Sequence, residues 1–124
     1  TRPVCRRMVS RGRLRMANAD QPTIQRIRAF AADPAKVMPS RQALSDLMAW
    51  GLKKEDVCDA IVEWIDAGER VKEVVLHTYP GLQGQPAFEL KPRLCNRLFY
   101  IKVAFFTPPG STEAMLVVSS HPDH

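Results

Sequence analysis

The sequence predicts an α+β domain, a small antiparallel sheet with two or three N-terminal helices packed on one face. Apolar residues recur at helical spacing up to Gly68, and β-branched runs with a two-residue period follow it. Pro80-Gly81 and Pro108-Pro109-Gly110 cut the second half into strand-length pieces. Helices first and strands after favour segregated layers over βαβ units.

Pro22-Thr23 opens the first helix, whose Ile24, Ile27 and Phe30 share a face and which ends near Asp33-Pro34. Ser40 is a suitable N-cap for the second, with Leu44, Leu47 and Met48 as its apolar stripe and Gly51 as its stop. The third is expected from about Lys54 to Ala67, burying Val57, Ile61, Trp64 and Ile65 before Gly68. The expected strands cover Arg70–Tyr79, Ala87–Leu94, Arg97–Thr107 and Glu113–Ser120. Pro92, which has no N–H to donate, assigns Ala87–Leu94 to an edge. Tyr79 is expected in the core, and His77 on a strand surface.

At 124 residues the chain is one domain, able to bury a core without disulfides. Cys5, Cys58 and Cys95 are an odd number, with neither disulfide nor zinc-ligand spacing, so no metal or other cofactor is expected. This cysteine usage and the lack of a long apolar run point to a cytoplasmic protein without membrane association. The net charge of +5 resides in the first fifteen residues, which hold six arginines and no acid. Residues 1–19 are therefore expected as a basic, disordered arm or an extension upstream of a natural start at Met16, and 20–124 as the domain. Past the arm, seven acids and two lysines lie between Leu44 and Glu69. Cations dominate from Arg70 to Lys102, giving an acidic helical side and a basic sheet side.

In the stretch CNRLFYIKVAFF, Phe99, Ile101, Val103 and Phe105 share one face, and Tyr100, Lys102, Ala104 and Phe106 the other. Pairing Thr107 with about Glu113 brings Tyr100 opposite Ser120 or His121. Tyrosine, histidine and lysine together suit RNA cleavage by attack of a 2′-hydroxyl on its neighbouring phosphorus, which needs an acid, a base and cations around the phosphate. Imidazole titrates near neutrality, so His121 can serve as acid or base. Lys72, Arg93, Arg97 and Lys102 are the candidate phosphate partners. Solvated strand lysines and a tail histidine are the plainer alternatives.

From Ser40 onward, SRQAL, GLKKEDVCDAIVEW, PRL, FYIKV and MLVVSSH occur in an order that resembles the MqsR family of bacterial toxins, RelE-like ribonucleases of type II toxin–antitoxin systems. The resemblance covers about two thirds of the chain. It implies a growth-inhibiting mRNA interferase acting on single-stranded mRNA without metal, with Tyr100, Lys72 and His121 as catalytic residues. His121 stands where the family usually has lysine. The family's glutamine matches near Ala87, with Gln85 the substitute if the loop shifts. A cognate antitoxin, MqsA-like with zinc and helix-turn-helix modules, is the implied partner. Two other readings stay open: a non-catalytic nucleic-acid-binding module built on the helix pair from Ser40 to Ala67, and a toxin fold that only binds its antitoxin.

Overall fold

In the computed structural model, which describes residues 17–123, local hydrogen bonds fix where each helix begins and ends. Helix α1 (Gln21–Ala31) starts at Asp20, whose carboxylate accepts from the Thr23 N–H at 2.9 Å. A single 3₁₀ turn (Pro34–Lys36) follows. Helix α2 (Arg41–Ala49) starts at Ser40, whose hydroxyl oxygen accepts from Ala43 N–H. Helix α3 (Lys54–Asp66) is fixed at its start by Asp56, whose carboxylate accepts from Lys53 N–H. Gly51, at φ +68°, lets α2 close in a Schellman turn, with Leu52 N–H donating to Leu47 C=O and Gly51 N–H to Met48 C=O. Arg28 joins α1 to α3 through two hydrogen bonds to Asp66, at 2.6 and 2.8 Å.

The fold is α+β: these three helices and a mostly antiparallel seven-stranded sheet. Its strands are β1 (Ala17–Asn18), β2 (Val37–Pro39), β3 (Lys72–Val75), β4 (Pro86–Leu90), β5 (Arg93–Leu94), β6 (Arg97–Phe106) and β7 (Ala114–Pro122). Their order across the sheet is β1-β3-β4-β6-β7-β2, with β5 folded back onto β6 and β2 parallel to β7. The helices cover one face. There Phe99, Ile101, Val103, Leu90, Met115 and Val117 pack against Ile27, Leu47, Val57, Ile61 and Ile65. The upper part of the other face carries a small cluster of Leu76, Ala87 and Ala104, with Tyr79, Leu82, Val74 and Val118 against it.

Several expectations need correction. Strand β3 ends at Val75, because Leu76 exchanges hydrogen bonds with Gln85 and Gly84 and starts a loop over the outer face. Tyr79 therefore packs in that outer cluster, not the main core. Strand β4 is interior, between β3 and β6. Pro92 falls beyond its end, where its carbonyl accepts from Phe99 N–H, so the chain needs no donor from that residue. The edges are β1 and β2, two and three residues long and too short for a legible alternation. Ala43 and Leu47 form the buried side of α2, whereas Leu44 and Met48 are exposed at 43% and 68%. Ala17–Asn18 joins the sheet and Ala19 is buried, so the folded part reaches into the expected arm. The remainder of that arm, residues 1–16, lies outside the described residues. Among the described residues, no helix is long and apolar enough to cross a membrane.

The β6–β7 ladder contains one irregularity. Val103 faces Val117, but Lys102 faces Ser119, so Val118 is an extra residue on β7. Ser40 holds this bulge: its N–H donates to Val117 C=O at 2.9 Å and its hydroxyl to Val118 C=O at 3.0 Å. One buried serine thus caps α2 and pins the bulged strand. Ser40→Ala is expected to lower stability by about 2 kcal/mol, since a cap and a carbonyl partner go together. Urea denaturation would measure it, and Ser40→Thr should recover part of the loss.

Candidate functional site

Residues directly opposite in a sheet share a face, so the register fixes what surrounds Tyr100. One row across the lower half of the outer face runs Lys72–Glu89–Lys102–Ser119. In the next row Tyr100 stands opposite His121, with ring centroids 5.4 Å apart and planes inclined by 32°. Arg93 lies opposite Leu98, two residues further along the same face of β6. Lys91, just past the end of β4, forms an ion pair with Asp123 at 3.4 Å. Lys72, Lys91, Arg93 and Lys102 against Glu89 and Asp123 leave this side with an excess of cations.

Glu89 is the centre of the site and was not among the residues singled out from the sequence. Its carboxylate accepts a 2.5 Å hydrogen bond from the Tyr100 hydroxyl, and Lys72 and Lys102 flank it on adjacent strands. The available signal was an acid inside PAFEL, an otherwise apolar strand with Ala87, Phe88 and Leu90 buried. Burial, then the bond to Glu89 and its negative charge, push the Tyr100 phenol well above the ordinary tyrosine range. Tyr100 is thus a neutral hydrogen-bond donor rather than a base.

That shift has a measurable consequence. Unfolded chains ionise tyrosine near pH ~10, whereas the native phenol holds its proton beyond that. The associated stability is complete below the unfolded value and disappears as pH rises through the folded one. In an alkaline ultraviolet titration, the wild-type-minus-Tyr100→Phe difference should show no phenolate band near pH 10 while the protein stays native.

His121 Nδ1 lies 2.9 Å from the Pro122 carbonyl oxygen. A carbonyl only accepts, so Nδ1 carries the hydrogen of that contact. Lys102 Nζ is 5.8 Å from the Tyr100 ring centre, close enough to add positive potential there.

Two expected site residues lie elsewhere. Arg97 has the parity of Phe99, and its guanidinium stacks 4.8 Å over Trp50 on the helical side. Gln85 sits in the loop before β4, in a groove with Phe105, Phe106 and Thr107. At ~3.3 Å per residue that end of β6 is roughly 20 Å from Tyr100. Ala87, where the glutamine match falls, is buried in the outer cluster. Lys72, Lys102, Tyr100 and His121 share the candidate site, and Arg93 lies at its lower margin.

Among the described residues, no three His, Cys, Asp or Glu side chains converge on a point that could hold a metal ion. Comparison with protein-family models, curated protein sequences and solved structures finds no match to this chain.

Proposed function

We propose that this domain is an endoribonuclease that cleaves single-stranded mRNA by 2′-hydroxyl attack, without metal, as the toxin of a type II toxin–antitoxin system. The observation that carries the reading is Tyr100 facing His121 across two strands, beside a Tyr100–Glu89 hydrogen bond and among Lys72 and Lys102. In the proposed reaction the Glu89 carboxylate takes the proton of the 2′-hydroxyl as O2′ bonds to phosphorus. The P–O5′ bond then breaks, and imidazolium Nε2 of His121 donates its proton to the departing oxygen. Lys72 and Lys102 hold the negative charge that gathers on the phosphate. Tyr100, kept neutral, orients the carboxylate. The products are a 2′,3′-cyclic phosphate and a 5′-hydroxyl.

The same reading brings a cytoplasmic setting, growth arrest on expression, and a zinc-containing, helix-turn-helix antitoxin as partner. Exposed Leu44 and Met48 on α2 and the free edge of β2 suit protein docking better than the interior β4 does. Helix α3 turns Glu55, Asp59, Glu63 and Asp66 to solvent, a poor surface for duplex DNA. Incubation of the purified protein with single-stranded RNA in EDTA should yield cyclic-phosphate ends. Activity abolished by EDTA, or undiminished in a Tyr100→Phe/His121→Ala double variant, would contradict the proposal.

A further inference from the structure

A cleft of about 230 Å³ opens one strand away from Tyr100, where the end of α3 meets the start of β3 and the end of β4. Trp64, Glu69, Arg70, Lys72, Glu89 and Lys91 line it. Resting on the nuclease reading above, we propose that this cleft seats the nucleotide adjoining the scissile phosphate, stacking on Trp64 a base that carries an exocyclic amino group.

Position comes first. Lys72 and Glu89 belong to both the cleft and the Tyr100 row, so a strand whose scissile phosphate lies between Lys72 and Lys102 runs directly into the cleft. The volume is below that of a drug-sized pocket and suits one base with its phosphate. The indole is preset, because Trp64 Nε1 donates to the Arg70 carbonyl at 2.9 Å and holds the ring in place as a wall. Aromatic walls combined with cations are how proteins hold single-stranded RNA without reading a duplex.

Charge then divides the cleft. Arg70, Lys72 and Lys91 supply the attraction for a phosphate. Lys91 also pairs with Asp123, but both side chains are partly exposed, so that pair yields readily to a phosphate. Glu69 is a carboxylate, which accepts hydrogen bonds only. Cytosine offers it an amino group where uracil presents a carbonyl oxygen, so the cleft discriminates between two bases of nearly equal size.

Trp64 provides a binding readout independent of cleavage once the other tryptophan is removed. In a Trp50→Phe background, cytidine 3′-monophosphate should quench Trp64 emission saturably, with uridine 3′-monophosphate binding about tenfold more weakly. Arg70→Ala combined with Lys91→Ala should weaken both by about tenfold or more, and Glu69→Gln should narrow the gap between them. Inorganic phosphate changing the emission as much as either nucleotide, or nucleotides leaving it unchanged, would overturn the proposal. Equal affinity for the two nucleotides would overturn the amino-group preference. Nucleotide binding without RNA cleavage would leave the cleft standing and remove the nuclease reading; cleavage without Trp64 quenching would do the reverse.

Discussion

His121→Ala is expected, on the proposed nuclease reading, to lower the rate of RNA cleavage by about 10²- to 10⁴-fold while the thermal midpoint stays close to that of the parent. The rate would fall because the leaving 5′-oxygen loses its proton donor. Stability changes little, because the imidazole is half-buried at the end of β7 and adds nothing to the main apolar core. A changed leaving group separates this from a general weakening. An RNA with sulfur in place of the scissile 5′-oxygen, whose thiolate departs without a proton, should restore most of the rate of His121→Ala. Glu89→Gln should stay impaired on that substrate, because its base is still missing. The two losses should be far from additive, since the base and the acid act on one and the same displacement at phosphorus. Single-turnover cleavage of short labelled RNAs with oxygen or sulfur at that position would measure all three proteins. Equal rescue of both variants would refute the assignment of acid and base.

Phe99→Ala is expected to cost about 3–5 kcal/mol, a large part of the stability of a domain this size. Phe99 is fully buried on β6, an interior strand, and its ring meets Trp50 edge-on with centroids 6.0 Å apart. Removing it leaves a void beneath the C-terminal turn of α2 and takes away the surface on which Trp50 and Arg97 stack. Neighbouring side chains are anchored on separate elements and cannot all move into the gap, so the cavity adds to the lost transfer free energy. Calorimetry should show a midpoint lowered by roughly 10–20 °C. Phe99→Leu, which keeps most of the volume, should lose less than half as much.

The β6–β7 hairpin shows what could be read before any coordinates. Alternation in CNRLFYIKVAFF assigns Phe99, Ile101 and Val103 to the core, and all three are fully buried. Helix starts and stops at Ser40, Gly51 and Gly68 were likewise legible, because caps are local chemistry. What escaped were features set by tertiary pairing. Strand β2 is three residues long and exists only because β7 lies beside it. Arg97 looked like a phosphate partner by charge, yet its place in the alternation already put it on the helical side. Glu89 looked like one acid among several until its strand proved interior. Loop residues such as Gln85 could not be placed, because sequence gives no measure of how far a connection carries them along the sheet.

The unpaired residue Val118 determines which nucleophile-sized groups Tyr100 can meet. Ahead of it, Leu116 faces outward with Ala104; behind it the phase inverts, so that Ser120 turns inward with Ile101 and His121 outward with Tyr100. Were Val118 instead to pair regularly with Lys102, every later side chain would change face, placing the Ser120 hydroxyl opposite the phenol and turning the His121 ring toward the apolar interior. The identity of the pair that meets on the outer face is thus set by arithmetic along the chain as much as by the residues themselves.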